Sequence, residues 1–224
     1  MKVVRLEVGP LACNAYLLVD EAAGAGVVID PGAEGGRIVR ECKANGLAPM
    51  FIVNTHAHVD HIGANAAVKE AFPEAQLCVG RRDADRLTDP AGNLAAALAE
   101  AAGCGPTVGC GPTVGCGPSA DLLLEEGQTL RFGACALKVL ETPGHTPGSV
   151  CLLAEREAPQ QLFCGDLLFR TGVGRTDLPG GDWTELMQSI RDKVLSLPDD
   201  AVLWPGHGPA TSVGRERRGN PFLA

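Results

Sequence analysis

Apolar positions in the first thirty residues fall into three short runs, Val3–Val8, Ala15–Val19 and Val27–Ile29, parted by Gly9-Pro10 and Gly24-Ala25-Gly26. Short runs separated by turn residues predict an antiparallel strand meander. Asp30-Pro31-Gly32 then ends a strand in a turn. Beyond it the period lengthens: Ile38, Val39, Cys42 and Leu47 have helical spacing, and Gly46 stops that helix. Met50–Val53 reads as a buried strand running into Asn54-Thr55-His56, Ala64–Phe72 as a helix and Leu77–Val79 as a strand. Helices between strands indicate a layered α/β domain.

The pattern breaks near residue 90. Leu94–Ala102 is alanine-rich and predicts a helix. Gly103-Cys104-Gly105-Pro106-Thr107-Val108 follows, Gly109–Val114 repeats it, and Gly115-Cys116-Gly117-Pro118 begins a third copy. Glycine and proline at this density hold neither a helix nor an inner strand. The stretch over about 90–119 therefore reads as a flexible insertion; a soft-metal or redox role for Cys104, Cys110 and Cys116 has no support nearby. Strands resume at Thr129–Phe132, Ala134–Leu140, Ser149–Leu153 and Gln161–Cys164, a second meander. Asp182 begins a helix as its N-cap, with Glu185 as capping-box partner. Trp183, Leu186, Ile190, Val194 and Leu197 form its apolar stripe, Pro198 ends it, and Ala201–Trp204 is a last strand. Two sheets back to back with helices outside satisfy this order.

At 224 residues the chain is read as one domain over 1–224. A net charge of −8, from 19 basic and 27 acidic residues, disfavours nucleic-acid binding. Arg215-Glu216-Arg217-Arg218 reads as a solvated turn within that acidic background. Without a long uncharged apolar window, no membrane span is expected. The charged, alternating N-terminus reads as a strand rather than a signal peptide. Nine cysteines without a secretion signal point to a reducing, cytoplasmic location. Cys13, Cys42, Cys78, Cys135, Cys151 and Cys164 lie in or beside apolar runs and read as small core residues. No CxxC pair supports a cysteine–zinc site.

The five histidines all sit at strand ends or in Gly/Pro-rich turns. Three fall within His56-Ala57-His58-Val59-Asp60-His61, a spacing that packing does not explain. His145 stands in Thr142-Pro143-Gly144-His145-Thr146-Pro147-Gly148, Asp166 closes Cys164-Gly165-Asp166, and His207 lies in Trp204-Pro205-Gly206-His207-Gly208. Each follows a strand and is hinged by glycine or proline. If those strand ends share one edge, His56, His58, Asp60, His61, His145, Asp166 and His207 converge. Five imidazoles and two carboxylates suit divalent Zn, Fe or Mn. Seven ligands exceed one tetrahedral ion, so two metal ions sharing a ligand is the economical reading, with zinc the first expectation. A water between them would ionise near neutral pH.

These motifs resemble the metallo-β-lactamase superfamily over nearly the whole chain outside 90–119. Gly165–Arg170, Gly174–Asp182, Pro205–Pro209, Glu216-Arg217 and Asn220-Pro221-Phe222 resemble type II glyoxalases (hydroxyacylglutathione hydrolases), in particular their short, single-domain bacterial branch. The resemblance implies an α/β fold of the αββα four-layer sandwich type with metals at one sheet edge. It implies that His56, His58 and His145 hold one metal, that Asp60, His61 and His207 hold the second, and that Asp166 bridges. Asp60 and Asp166 would be the carboxylates at the reaction centre, Asp60 as a ligand rather than a free base. The implied reaction is attack of hydroxide on a small-molecule thioester such as S-lactoylglutathione.

Two features depart from full-length type II glyoxalases. Only 17 residues follow His207, so their helical glutathione-binding domain does not fit, and Gly208-Pro209 stands where a tyrosine is expected. Arg175 matches the basic position after the bridging aspartate and becomes the expected anchor for a substrate carboxylate. The alternative is an iron-dependent persulfide dioxygenase, which shares a Gly-Arg-Thr-Asp stretch and would use His56, His145 and Asp166 for one iron. A lactonase or other hydrolase of the superfamily is a third reading. A non-catalytic binding module is disfavoured by the full ligand set, a secreted β-lactamase by the N-terminus, and a tRNA-processing nuclease by the acidity.

Overall fold

The computed structural model describes residues 1–97 and 117–223. The helix expected over 94–102 lies outside them from residue 98 onward, as do the cysteine-bearing repeats up to residue 116.

The first sheet has six strands in sequence order: β1 (Lys2–Val8), β2 (Cys13–Asp20), β3 (Ala25–Ile29), β4 (Ala48–Asn54), β5 (Gln76–Gly80) and β6 (Leu122–Leu124). The expected meander is there: β1, β2 and β3 pair antiparallel. From β3 onward the pairing is parallel. Helices α1 (Gly35–Ala44) and α3 (Asn65–Ala71) supply the crossovers that parallel strands require. Between β4 and α3 lies a single short turn of helix, α2 (Val59–Ile62).

The second sheet also has six strands. Its strands β7 (Thr129–Phe132), β8 (Cys135–Glu141), β9 (Val150–Ala154) and β10 (Gln161–Gly165) form the second antiparallel meander. Strand β13 (Val202–Pro205) joins β10 in parallel, and β14 (Thr211–Ser212) closes the edge. A small hairpin, β11 (Leu168–Phe169) with β12 (Gly172–Val173), leaves β10. Helix α4 (Trp183–Ser189) begins where Asp182 accepts the Glu185 N–H at 2.9 Å, the expected cap, and runs on as a π-turn to Val194.

Three apolar clusters define four layers. Tyr16, Leu18, Ile29 and Val53 from the first sheet interdigitate with Phe132, Leu137, Leu152 and Phe163 from the second. The other face of the first sheet packs Leu17, Val28, Ile52 and Leu77 on Ile38 and Cys42 of α1 and Val68 of α3. The other face of the second packs Leu140, Cys151 and Leu162 on Leu186, Ile190 and Val194. The result is the αββα sandwich.

Two expectations need correction. Trp183 is not part of the buried stripe: it sits on the outer side of its helix, 48% exposed, against Phe222. The run Arg215–Arg218 is no solvated turn but the middle of helix α5 (Val213–Gly219). There Arg217 donates to the carbonyls of Leu195 and Leu197, while Glu216 points inward and is fully buried. Helical period brings one residue of a charged tetrad to the core face.

Four strand ends, those of β4, β8, β10 and β13, meet at one edge of the sandwich. Cys13 bridges to His207, Asn14 donates its backbone N–H to Gly206 O, and Tyr16 donates its hydroxyl to Pro205 O at 2.6 Å. These bonds tie the first sheet to the second just where the histidines emerge. Among the described residues no helix is long and apolar enough to cross a membrane.

Candidate metal centre

β4 runs straight into Thr55-His56, and the N-terminus of α2 carries Asp60 and His61. β8 leads to the turn holding His145, β10 to Asp166 and β13 to His207. β10 and β13 are parallel neighbours, so their C-terminal ends share one edge of the second sheet, and the loop after β4 of the first sheet meets them there. All seven predicted ligands converge. His56, His58 and His145 form one group whose donor atoms lie within 4.8 Å of one another; Asp60, His61 and His207 form a second; His56, His61 and Asp166 form a third that joins them. Asp166 thus stands between the two triads.

Hydrogen bonding assigns the ring tautomers. His145 Nδ1 faces the carbonyl oxygen of Arg175 at 2.8 Å, and a carbonyl only accepts, so Nδ1 carries the proton. Its Nε2 is left with a lone pair, 2.9 Å from His58 Nδ1. The Thr55 hydroxyl spends its hydrogen on Asp30 Oδ2 at 2.7 Å, so it accepts from His56 Nδ1 at 3.2 Å. His56 Nε2 therefore also offers a lone pair, and it is buried with no hydrogen-bond partner. His61 Nδ1 faces Asp30 Oδ2 at 3.0 Å and Cys13 Sγ at 3.6 Å. That contact turns His61 Nε2 toward His207 Nε2 at 3.3 Å, Asp166 Oδ1 at 3.4 Å and Asp60 Oδ2 at 3.7 Å. Asp166 Oδ1 is likewise buried and has no hydrogen-bond donor.

Buried acceptors without donors are costly in a folded protein. Here they are gathered in one place, nitrogen and carboxylate oxygen facing each other across short gaps. A divalent cation satisfies all of them at once, and the N/O donor set suits Zn, Fe or Mn. The residues would fit a pair of ions, with Asp166 within reach of both triads: its Oδ1 faces His61 at 3.4 Å, and its Oδ2 faces His145 at 3.7 Å and His207 at 3.6 Å. The cluster tolerates no extra volume: a Cβ on Gly206 would lie 2.2 Å from Asp166 Oδ1 and 2.7 Å from His61 Cε1.

The two triads differ electrostatically. Burial, reinforced by the neighbouring imidazoles, pushes His56 well down and His58 to about 3. Both imidazoles are neutral at pH 7. Burial also opposes charge on His61 and His207, but the surrounding Cys13, Asp60, Asp166 and Asp30 outweigh it for His61, and Asp60 and Asp166 for His207, so both rise. Burial alone would raise Asp60, yet His61 and His207 hold it low and ionised. Negative charge is thus concentrated on the Asp60 side of the site, facing His61 and His207.

Arg175 is placed differently from the other predicted residues. Its carbonyl orients His145, while its guanidinium lies out in solvent, 62% exposed, and grips Asp177 with two bonds of 2.7 and 2.8 Å. Sequence reasoning missed Asp30, which it read only as a turn former. The available signal was an acidic residue closing the strand next to the histidine-bearing one.

The Lactamase_B family model, the metallo-beta-lactamase superfamily, matches residues 8–207. The chain is 38% identical over 223 residues to the "Probable metallo-hydrolase YqgX" of Bacillus subtilis, covering 100% of this chain and 98% of that protein. It is 33% identical over 216 residues to the "Hydroxyacylglutathione hydrolase GloC" of Haemophilus influenzae, covering 94% and 92%. Two solved structures share the whole architecture. The BLEG-1 B3 metallo-beta-lactamase superposes with a TM-score of 0.88 at 37% identity, over 100% of both chains. TTHA1623, crystallised in a di-iron-bound form, gives 0.82 at 39% identity over 99% of this chain and 100% of that one. The sandwich, the convergent histidines and aspartates at its edge and the length of the family match agree, and the chain belongs to the metallo-beta-lactamase superfamily, a family of metallo-hydrolases.

Proposed function

We propose that this protein hydrolyses a small glutathione-type thioester, S-lactoylglutathione being the reference substrate, at a dinuclear centre. The observation that carries the proposal is the assembly of Asp60, His61 and His207 beside His56, His58 and His145, with Asp166 between them. A mononuclear oxygenase needs only His56, His145 and Asp166 and leaves the second triad without a purpose. The thioester class is supported by the similarity to the Haemophilus influenzae hydrolase over nearly its full length.

When bound, two divalent ions, zinc or iron, supply Lewis acidity that acidifies water and polarises an acyl carbonyl. The chain's own residues do the rest. His145 is held in one tautomer by the Arg175 carbonyl, His61 by Asp30 and His56 by Thr55. Asp166 and Asp60 place negative charge on the water side of the centre, with 13% and 19% of their side chains exposed. Phe169 lies edge-on to the His207 ring, 6.3 Å between centroids, and shields its outer face. Arg175 is the proposed anchor for a substrate carboxylate, which must displace Asp177 from its guanidinium. A cytoplasmic location fits the six free thiols among the described residues.

The test is metal analysis of the purified chain together with parallel assays on lactoylglutathione, a simple thioester without the peptide, glutathione persulfide and a β-lactam. Turnover of lactoylglutathione with about two ions per chain supports the proposal. Turnover of the persulfide alone with one iron, or of the β-lactam alone, overturns it. Equal turnover of both thioesters keeps the hydrolase and removes glutathione as the specific thiol.

A further inference from the structure

The first triad is assembled from two sheets. His56 and His58 leave β4 of the first sheet, while His145 leaves β8 of the second. One buried carboxylate bonds both loops. Asp83 lies in the 3₁₀ turn Arg81–Leu87 that follows β5, and it is fully buried. Its Oδ2 accepts the N–H of Ala57, the residue between His56 and His58, at 3.1 Å. The same oxygen accepts the hydroxyl of Thr146, the residue after His145, at 2.7 Å. Its Oδ1 accepts the N–H of Gly148 at 2.9 Å.

The surroundings leave Asp83 no freedom. A Cβ on Gly148 would lie 2.3 Å from Asp83 N and 2.7 Å from its Cβ, and a Cβ on Gly80 would lie 2.0 Å from Gly148 O. The backbone of the His145 turn is thus pressed against the end of β5. Arg86 approaches Asp83 Oδ1 at 3.6 Å and itself donates to the carbonyls of Gly92 and Pro179. The buried charge is therefore partnered by a guanidinium that is anchored on both sides.

We propose that Asp83 is a positioning residue for the first metal site: through Ala57 N–H, Thr146 Oγ1–H and Gly148 N–H it locks the loop of His56 and His58 against the loop of His145. The proposal rests on the metal-centre reading, and it goes beyond the ligands to a residue that touches neither metal nor substrate. Its physical content is preorganisation. His58 Nδ1 and His145 Nε2 stand 2.9 Å apart although they come from different sheets. A carboxylate is required because all three neighbours are donors. An asparagine in its place turns one amide N–H₂ against a backbone N–H. Groups that orient metal ligands from outside typically change metal affinity 10–100-fold when replaced.

The experiment is Co(II) titration of the full chain, followed by visible absorption, in two backgrounds that isolate the sites. His61→Ala retains the first triad and His58→Ala retains the second. Asp83→Asn in the His61→Ala background is expected to weaken Co(II) binding about 10–100-fold and to change the ligand-field spectrum. In the His58→Ala background it is expected to change affinity less than about threefold. If Asp83→Asn does not fold, Thr146→Val reads the same linkage by removing the hydroxyl that donates to Asp83 and also bonds Ser149 Oγ, while leaving the carboxylate and both N–H bonds. It is expected to cost on the order of three- to tenfold at the first site only. Unchanged affinity at the first site in the variant that folds, or an equal loss at both sites, overturns the proposal. A parent chain that takes up no Co(II) overturns the metal-centre reading instead, so the two failures are distinguishable.

Discussion

His61 Nδ1 lies 3.0 Å from Asp30 Oδ2, and both side chains are shut away from solvent. The same carboxylate accepts the backbone N–H and hydroxyl of Thr55, each at 2.7 Å, and that hydroxyl accepts from His56. One aspartate at the end of β3 therefore orients a histidine in each triad. Asp30→Asn must turn its amide N–H₂ toward one of these donors. Metal analysis after dialysis is expected to give less than two ions per chain, with affinity down 10–100-fold. Full retention of both ions would remove Asp30 from the orienting role.

Asp166 and His61 occupy different places in the cluster, and stoichiometry separates them. Asp166 groups with His56 and His61, one from each triad. Asp166→Ala is expected to lower both occupancies and to abolish measurable hydrolysis. His61→Ala is expected to leave about one ion per chain, held by His56, His58 and His145. Chelation of the parent chain should lower its melting temperature, because ions that bind only the folded state stabilise it by mass action. Inductively coupled plasma analysis and differential scanning calorimetry read these outcomes.

The Arg175–Asp177 pair makes substrate anchoring testable from both sides. The two side chains are exposed, and the arginine holds the Asp177 carboxyl at about 2. Arg175→Ala is expected to raise KM for lactoylglutathione by roughly fivefold while kcat changes less, the signature of binding common to ground and transition states. Asp177→Ala frees the guanidinium and is expected to lower KM. If Asp177→Ala raises KM as Arg175→Ala does, the pair shapes the loop and the substrate carboxylate is held elsewhere.

Glu216 is the buried member of α5. It accepts the Thr171 N–H at 2.8 Å, the Asn220 amide at 3.0 Å and the Thr211 hydroxyl at 2.5 Å. Thr171 turns the β11–β12 hairpin at φ +64°, so Glu216 fastens that hairpin to the C-terminal helix. Glu216→Ala leaves three donors without a partner, at about 1–3 kcal/mol for a buried one. A total near 3 kcal/mol corresponds to a fall of about 6–12 °C in Tm for a domain of this size. Thermal unfolding followed by circular dichroism measures it; a fall under about 2 °C would mean that water replaces the carboxylate.

The strand runs, the crossover helices and the clustering of the seven His and Asp side chains were legible in the chain because each has a local signature. Val27–Ile29 and Met50–Val53 are short apolar runs, and His56-Ala57-His58-Val59-Asp60-His61 is too dense for packing. β6 was not legible, because Leu122–Leu124 becomes a strand only by pairing with Cys78–Gly80. Glu216 and Asp83 were hidden inside charged runs, Arg215–Arg218 and Arg81–Arg86, where local composition cannot tell a buried carboxylate from a solvated one. Trp183 failed in the opposite sense: its spacing matched the stripe, but Phe222 and solvent, not the core, receive it. Inward or outward direction at such positions is decided by partners far along the chain.

Neither triad comes from one sheet: His145 completes the first and His207 the second, each arriving from the later half of the chain. A nascent polypeptide that has made only β1 to β6 owns four of the seven donors and no complete coordination sphere. Each triad therefore assembles only when strands of the later sheet have folded against the first, the His145 group before the His207 group in chain order.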